Sequence, residues 1–318
     1  MLIRKVDRLS DEPMKDGPRT ITAQVKDAFI ATRPWSFAMS LISVSIATLL
    51  AAEDGPVLWG WFALVCVGIV CFHATANILN DYFDARYHVD QADSPTAQYR
   101  PQPILAGIFT PRQLLLEGVL LGAATCAIGL ILAFERSLTV LWIGLIGFVS
   151  CVFYTAGPIK YKYRAWGEVF VFLMWGPFMF EGAYVVQRQV LSLKACAVSI
   201  PFGALVALVI LANNIRDIAY DSRQRIKTIG ILLGPLRSIQ LYAGLIVAAY
   251  LYVVALAVTR TLTPWALLVL LSLPKAIKLV KVFAHKVPDA ADANTAQLNT
   301  VFGLLLIVAL IMGRMVPI

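Results

Sequence analysis

Long apolar runs separated by polar connections dominate this 318-residue chain and limit the folds that it can adopt. Hydrophobic residues make up 59% of the sequence and charged residues only 14%, whereas soluble domains have about 25% charged residues. A helix that crosses the ~30 Å hydrocarbon core of a bilayer needs about 20 apolar residues. The sequence therefore predicts an all-α, polytopic membrane protein with nine transmembrane helices in a single bundle around a central cavity. The predicted spans are residues 36–52, 57–79, 113–133, 137–156, 167–187, 193–214, 236–258, 262–283 and 297–315.

The N-terminal residues differ in composition from the rest of the chain. They are polar and mixed in charge, and they lack the apolar stretch of a cleavable signal peptide. We predict that residues 1–32 form a cytoplasmic tail followed by an interfacial helix at about 20–32, and that residues 33–318 form the transmembrane domain. The five cysteines lie inside apolar runs without a C-x-x-C pair, which argues against a disulfide framework or a zinc site.

The distribution of Lys and Arg predicts which side of the bundle faces the cytoplasm. Only five of the 27 lie near the odd-numbered connections, and 22 lie in the N-terminal segment or near the even-numbered ones. The positive-inside rule places the larger group in the cytoplasm, with the cavity opening there and the C-terminus outside. The net charge of +8 then reflects membrane topology. We therefore predict contact with a lipid bilayer, a prokaryotic cytoplasmic membrane, and no nucleic-acid partner.

A cluster of carboxylates and carboxamides stands at the end of the second apolar run. It contains Asn77, Asn80, Asp81, Asp84 and Asp90 within fourteen residues. If the run continues as a helix, positions 77, 80/81 and 84 share one face. Carboxylates at the edge of a membrane are costly without a positive partner, and oxygen ligands favour Mg²⁺ over softer metals.

A second cluster ends the sixth run, with Asn213, Asp217 and Asp221 at the i, i+4 and i+8 positions of one predicted helical face. Asn77 and Asp81 have the same spacing 136 positions earlier, which suggests an internal duplication of spans 1–4 and 5–8. Two such clusters facing one cavity would suit Mg²⁺ ions that bridge a diphosphate. The alternative interpretation is that both are polar helix ends at the membrane surface.

Basic and aromatic residues lie close to both clusters in the sequence. Lys162 and Arg164 follow Tyr154 in one connection, and Arg216 and Lys227 flank the second cluster. Arg and Lys bind phosphate oxygens, although the positive-inside bias alone could account for them. His73 lies one turn before the first cluster on the same helical face, where a ligand contact and a structural role are both open.

Asn80-Asp81-x-x-Asp84 resembles the first motif of the UbiA superfamily of intramembrane prenyltransferases, N-D-x-x-D-x-x-x-D. His88 occupies the last position of that motif, and the third acid is Asp90, six residues after Asp84. This longer spacing resembles the MenA-type branch, the 1,4-dihydroxy-2-naphthoate prenyltransferases. Further segments fit the same branch: Arg33-Pro34-Trp35-Ser36, Tyr154-Thr155-x-Gly157-Pro158, Tyr163-Arg164-x-x-Gly167-Glu168 and Asn213-Asn214-Ile215-Arg216-Asp217.

The resemblance implies Mg²⁺-dependent transfer of a prenyl group from a polyprenyl diphosphate to an aromatic acceptor, 1,4-dihydroxy-2-naphthoate in menaquinone biosynthesis. The implied catalytic residues are Asp81, Asp84, Asp217, Asp221 and Tyr154. The implied or candidate substrate-binding residues are Asn77, Asn80, Arg33, Lys162, Arg164, Asn213, Arg216, Lys227 and His73. The implied Mg²⁺ ligands are Asn80, Asp81, Asp84, Asp90, Asp217 and Asp221.

Two other functions agree with the same residues. A prenyltransferase of this type could use another quinone precursor, a porphyrin-type ring or a sugar phosphate as acceptor. A transporter is the competing class, because intramembrane carboxylates and repeated half-sites also occur on ion pathways. The acids lie at helix ends on one side instead of at the bilayer midplane, which favours the enzyme. The sequence leaves open the prenyl chain length, the oligomeric state and which basic residues contact the diphosphate.

Overall fold

The computed structural model describes residues 20–91, 93–100, 102–224 and 226–316, and this part of the chain is all-helical without strands. A single isolated bridge joins Arg164 and Lys227. The described residues form thirteen α-helices. They are α1 Ile21–Ala31, α2 Phe37–Ala51, α3 Trp59–Arg86, α4 Pro95–Tyr99, α5 Pro111–Glu135, α6 Leu138–Thr155, α7 Gly167–Leu173, α8 Met179–Arg188, α9 Leu193–Arg216, α10 Ile218–Asp221, α11 Ile229–Val258, α12 Leu273–His285 and α13 Ala291–Met315.

Eight helical runs in the described residues are long and apolar enough to cross a membrane, so the protein is an integral membrane protein. They match eight of the nine predicted spans. The eight runs are Ile21–Asp54, Trp59–Arg86, Pro111–Glu135, Leu138–Thr155, Gly167–Arg188, Leu193–Arg216, Ile229–Val258 and Ala291–Met315.

The predicted eighth span, residues 262–283, has a different structure. It consists of a 3₁₀ helix, Pro264–Ser272, followed by α12, whose first turn contains Pro274. The two ends of this region lie at opposite ends of the bundle, because Trp265 Nε1 donates to Val316 O at 2.9 Å and Asp289 O accepts from Arg216 at 2.9 Å. The count of nine transmembrane helices remains a prediction.

The two acidic clusters lie on different kinds of backbone. α3 continues to Arg86, so the first cluster is helical through Asp84, as expected for a run that extends beyond residue 79. The expectation of one continuous helix through the second cluster is wrong. α9 ends at Arg216, Asp217 caps it with φ −94° and ψ 5°, and Asp221 belongs to the separate helix α10. The suggested internal duplication stays a prediction.

Helix α1 presents an exposed apolar stripe. Ile21, Val25 and Phe29 recur every four residues and are all exposed, so they share one face. An amphipathic helix of this kind suits the boundary between headgroups and hydrocarbon. Its contact with the membrane remains a prediction, and the predicted tail, residues 1–19, lies outside the described residues.

The core of the bundle lies around α9, which packs against α7, α11 and α13. Phe202, Leu205 and Leu208 of α9 are completely or almost completely buried. In contrast, α5 and α6 expose large apolar side chains such as Leu120 and Trp142. A bilayer would cover these side chains, because lipid tails are as apolar as leucine.

We expect Gly203→Ala to destabilise the protein. A Cβ atom at Gly203 of α9 would lie 2.8 Å from Gly176 Cα and 3.0 Å from Phe172 O, and backbone atoms cannot yield as a side chain can. Overpacking of this kind costs about 1–3 kcal/mol. Thermal unfolding in detergent should therefore show a lower Tm. The matched control is Gly244→Ala in α11, where nothing lies within 4 Å, and an equal loss in both variants would contradict the prediction.

Candidate active site

A cavity of about 1140 Å³ lies inside the bundle and brings the two acidic clusters together. Side chains of both clusters line one end of it, and apolar side chains of α3, α5, α6 and α8 line the rest. The acidic and amide residues in its wall are Asn77, Asn80, Asp84, Asp90, Asn213, Asn214, Asp217 and Asp221. Representative apolar residues in its wall are Ile69, Phe72, Ile128, Ile143, Phe148 and Met179.

Asp84 and Asn80 of α3 contact the connection between α6 and α7. Lys162 Nζ donates to Asp84 Oδ2 at 2.7 Å and to Asn80 Oδ1 at 2.9 Å. The Tyr163 hydroxyl donates to the other oxygen of Asp84. A buried carboxylate is stable only when it is paired and hydrogen-bonded, and these contacts supply both conditions.

Asp81 is buried but does not line the cavity. Arg33 forms an ion pair with one of its oxygens, and Arg100 approaches both oxygens at 3.4 and 3.5 Å. The Gln102 amide donates to the Asp81 carbonyl oxygen at 2.8 Å. Both guanidinium groups lie in the cavity wall, so Asp81 stands behind two cations and not at the surface where a ligand would bind.

The end of α3 explains why the third acid is Asp90. The helix ends at Arg86, and His88 adopts the left-handed conformation with φ 56°. This reversal lets the backbone N–H groups of Val89 and Asp90 donate to Asp84 O at 2.9 and 3.3 Å. Asp90 consequently lines the cavity, whereas His88 does not.

Arg216 organises the second cluster. Its Nε and one terminal nitrogen donate to the two oxygens of Asp217 at 2.6 and 2.7 Å, and the same terminal nitrogen reaches Asn213 Oδ1 at 2.6 Å. It also contacts Thr96 at 2.9 Å and Asp292 at 3.3 Å. Arg216 therefore joins the end of α9 to α4 and α13 and does not itself line the cavity.

The polar end of the cavity carries more negative charge than its cations balance. Burial, followed by repulsion from Asp84, raises the pKa of Asp90 to about 7. Burial, followed by repulsion from Asp217, raises the pKa of Asp221 to about 7. Desolvation and neighbouring carboxylates both disfavour the ionised form. A bound cation would remove this penalty.

The residues present fit Mg²⁺ held jointly with a phosphate ligand. Among the described residues, no three acidic, His or Cys side chains converge closely enough to hold a metal by themselves. Mg²⁺ is usually bound through one or two carboxylates together with substrate phosphates and water. The oxygen donors on the two walls of the cavity suit that arrangement: Asn80, Asp84 and Asp90 on one side, and Asp217 and Asp221 on the other.

The remaining residues predicted from the sequence include some that line the cavity and some that do not. Tyr154, Asn77 and His73 line the cavity, and the Tyr154 ring lies edge-on to Tyr161 at 5.4 Å. Arg164 donates instead to Pro158 O at 2.9 Å, away from the cavity wall. Lys227 contributes backbone hydrogen bonds to Tyr163 and Ala165, and its side chain does not line the cavity. The geometry thus gives neither Arg164 nor Lys227 a direct contact with a ligand.

Four residues that contact the site are not among the catalytic, substrate-binding or metal-binding residues predicted from the sequence. Arg100 and Tyr163 contact the acids of α3, and Ser36 and Ser40 bond to His73. Ser36 ends the segment Arg33-Pro34-Trp35-Ser36 that resembles the family, and Arg100 is a cation that follows the first acidic cluster, whereas no local pattern identifies Ser40. Tyr163 is adjacent to the predicted Lys162 and begins the segment Tyr163-Arg164-x-x-Gly167-Glu168 that resembles the family.

Comparisons with known proteins show the family of this chain. Residues 40–311 match the UbiA prenyltransferase family. The 1,4-dihydroxy-2-naphthoate octaprenyltransferase of Bacillus subtilis is 30% identical over 293 residues, which cover 89% of this chain and 91% of that protein. UbiA prenyltransferase domain-containing protein 1 of Danio rerio is 30% identical over 287 residues, covering 89% and 83%.

Solved structures share the fold. A UbiA homologue from Aeropyrum pernix K1 superposes with a TM-score of 0.64 at 18% identity, covering 88% of this chain and 98% of that one. A UbiA homologue from Archaeoglobus fulgidus bound to GPP and Mg²⁺ gives a TM-score of 0.60 at 12% identity, covering 89% and 99%. The chain belongs to the UbiA prenyltransferase family and is a membrane-embedded prenyltransferase, not a transporter.

Proposed function

We propose that this enzyme transfers a prenyl group from a polyprenyl diphosphate to 1,4-dihydroxy-2-naphthoate in menaquinone biosynthesis, and that the reaction depends on Mg²⁺. The observation that carries the proposal is the division of the cavity into a charged end and an apolar remainder. A polyprenyl diphosphate has the same division between its head and its tail. The naphthoate acceptor is supported by the Bacillus subtilis relative and by the position of Asp90.

The charged end would bind the diphosphate. Bound Mg²⁺ would neutralise the diphosphate and favour its departure. Asp84 and Asp221, on opposite walls, would hold the metal with the other oxygen donors described above. Lys162 now pairs with Asp84, and its ammonium group would turn to the phosphate once a metal occupies that carboxylate. Arg33 Nε is buried without a hydrogen-bond partner, so this guanidinium has a donor ready for a phosphate oxygen.

The proposed reaction exchanges one bond for another. The bond between C1 of the prenyl group and the diphosphate oxygen breaks, and the electron pair leaves with the diphosphate. A ring carbon of the acceptor forms the new C–C bond to C1, which leaves a positive charge on the ring. The bond between the ring and the carboxylate then breaks, CO₂ leaves, and the electron pair of that bond stays with the ring and restores its aromaticity. Tyr154 lines the cavity, where its electron-rich ring would stabilise positive charge on the prenyl group.

We also propose that the charged end faces the cytoplasm of a prokaryotic cell. Arg188 and Lys194 belong to the minority of cations on the predicted outer side, and they contact Ala51 and Glu53 at the opposite end of the bundle. If the region from Pro264 to His285 is a ninth, broken span, the C-terminus lies outside. The described geometry is compatible with this arrangement, because that region joins the two ends of the bundle.

The acceptor is tested with purified protein in detergent, labelled farnesyl diphosphate and a set of acceptors. We expect a prenylated, decarboxylated product with 1,4-dihydroxy-2-naphthoate, and loss of product when EDTA removes Mg²⁺. The set should include 4-hydroxybenzoate as another quinone precursor, and a porphyrin-type ring. Product from one of these but not from the naphthoate would overturn the acceptor, and unchanged activity in EDTA would overturn the metal dependence.

The dependence on Mg²⁺ should change with pH. Asp90 and Asp221 have a pKa of about 7, so both bind protons as the pH falls from 8 to 6, and protons then compete with the metal. The Mg²⁺ concentration for half-maximal activity should rise about tenfold for each carboxyl that must ionise. The change should be smaller in Asp90→Asn. A constant Mg²⁺ requirement across this range would contradict the prediction.

The apolar part of the cavity should set the prenyl chain length. Gly144 of α6 lies about 16 Å along the helix from Thr155, the last residue of α6, which lies towards the charged end of the cavity. Gly144 lines the cavity, and a Cβ atom added to it would meet nothing within 4 Å. Gly144→Leu should therefore lower kcat/KM for a long polyprenyl diphosphate about tenfold relative to geranyl diphosphate. Gly244→Leu is the control, because Gly244 also has open space but lies outside the cavity. Equal ratios in both variants would argue against the tail occupying this region.

A further inference from the structure

Three polar residues of α3 face the turn that joins α1 to α2. His73, Asn77 and Asp81 are spaced four residues apart, so they form one stripe along the helix. His73 contacts Ser36, Asn77 contacts Thr32 and Ser36, and Asp81 contacts Arg33. These three side chains, which we call the clamp, hold the turn against α3.

The turn needs such support. Arg33 adopts the left-handed conformation with φ 57° and ψ 59° and precedes Pro34. Non-glycine residues rarely adopt this conformation, which persists when surrounding contacts enforce it. The Arg33 carbonyl oxygen accepts from the Ser36 backbone at 2.9 Å and from the Ser36 hydroxyl at 2.8 Å. These two bonds close the turn from within.

Asn77 and His73 hold the turn from outside. Asn77 Nδ2 donates to Thr32 O at 2.9 Å and to Ser36 Oγ at 3.1 Å. His73 Nε2 lies 3.2 Å from Ser36 Oγ, and His73 Nδ1 lies 2.8 Å from Ser40 Oγ. The Ser36 proton goes to the Arg33 carbonyl, so Ser36 must accept from His73, and Nε2 is assigned the proton.

Trp175 completes the chain of hydrogen bonds. Its Nε1 donates to Ser40 Oγ at 3.1 Å, which leaves the Ser40 proton for His73 Nδ1. Both nitrogens of His73 are therefore satisfied within the protein, and the residue is buried. A neutral His73 with this arrangement has a positional role and no spare hydrogen-bonding group for substrate.

Asp81 acts at the end of the clamp nearest the charged part of the cavity. It binds the guanidinium groups of Arg33 and Arg100, and both of these line the cavity while Asp81 does not. Arg33 retains a buried Nε without a partner. Asp81 thus holds the two guanidinium groups next to each other from the side away from the cavity, and Arg33 retains an unsatisfied donor.

The geometry points to Asp81 as a positioning residue that holds Arg33 and Arg100 for the diphosphate, and not as a direct Mg²⁺ ligand. Asp84, three residues later, lines the cavity and keeps the role of metal ligand. This assignment rests on the proposed function, because it takes the diphosphate as the ligand of the two arginines. The sequence motif implied that Asp81 is a Mg²⁺ ligand, and the positioning role replaces that expectation for this residue only.

The test compares Asp81→Asn with Asp84→Asn in two binding measurements on the purified full-length protein. The first is the Kd of inorganic diphosphate without Mg²⁺, and the second is the Mg²⁺ concentration for half-saturation at saturating diphosphate. Asp81→Asn should raise the first about tenfold and change the second less than twofold. Asp84→Asn should raise the second about tenfold. A rise in the Mg²⁺ requirement of Asp81→Asn equal to that of Asp84→Asn, or an unchanged diphosphate Kd, would overturn the assignment.

A second variant covers the case in which Asp81→Asn does not fold. Ser36→Ala removes the acceptor that Asn77 and His73 share, and it should weaken diphosphate binding several-fold with the Mg²⁺ requirement unchanged. Ser272→Ala is the matched control, since Ser272 is a buried serine that bonds to Tyr250 at 2.6 Å, away from this turn. Equal diphosphate binding in Ser36→Ala and Ser272→Ala would count against the clamp.

Failure of the proposed function gives a different result. If the wild-type enzyme prenylates no aromatic acceptor but Asp81→Asn still loses diphosphate affinity, the reaction assignment fails and the positioning role stands. If the wild-type enzyme forms the naphthoate product but Asp81→Asn binds diphosphate normally, the positioning role fails and the reaction assignment stands.

Discussion

Charge pairing inside an apolar bundle is the constraint on which the rest of the site depends. A buried carboxylate without a partner is too costly to persist, so each acid of the cavity region has to meet a cation or a proton. Asp81 meets Arg33 and Arg100, and Asp84 meets Lys162. Each of these pairs joins α3 to a different segment of the chain. The loops at this end of the bundle are therefore ordered by the same interactions that keep the acids charged.

The pairing of carboxylates with cations is incomplete, and the carboxylates without a full partner are useful for binding a metal. Burial and, after it, neighbouring carboxylates raise the pKa values of Asp90 and Asp221, and the cations nearby offset this only in part. A structure selected for stability alone would favour replacing such groups with apolar ones. A site that binds a divalent cation together with an anionic substrate needs carboxylates and cations side by side, with room between them, and the cavity provides both.

The sequence supported much of this architecture in advance. Eight predicted spans correspond to long apolar helices, because the length and composition of a membrane span are local properties. The family resemblance implied Asp90 as a site residue, and Asp90 lines the cavity because the left-handed His88 reverses the backbone before it. The break at Asp217 was missed, because Asn213 and Asp221 keep a helical spacing across it. The change from a 3₁₀ helix to an α-helix within residues 262–283 was not predicted, because Pro274 is compatible with either a helix interruption or a first turn.

The sequence by itself determined that this chain forms apolar helices, that its acids cluster at helix ends, and that their motifs belong to one prenyltransferase family. Only the tertiary structure decided what each acid of α3 contacts. Asp81 and Asp84 are three residues apart and lie about 60° apart around the helix, yet one faces two arginines of distant segments and the other faces the cavity. The physical reason is that helix periodicity fixes the angles between side chains, whereas the packing of neighbouring segments decides which groups each side chain contacts.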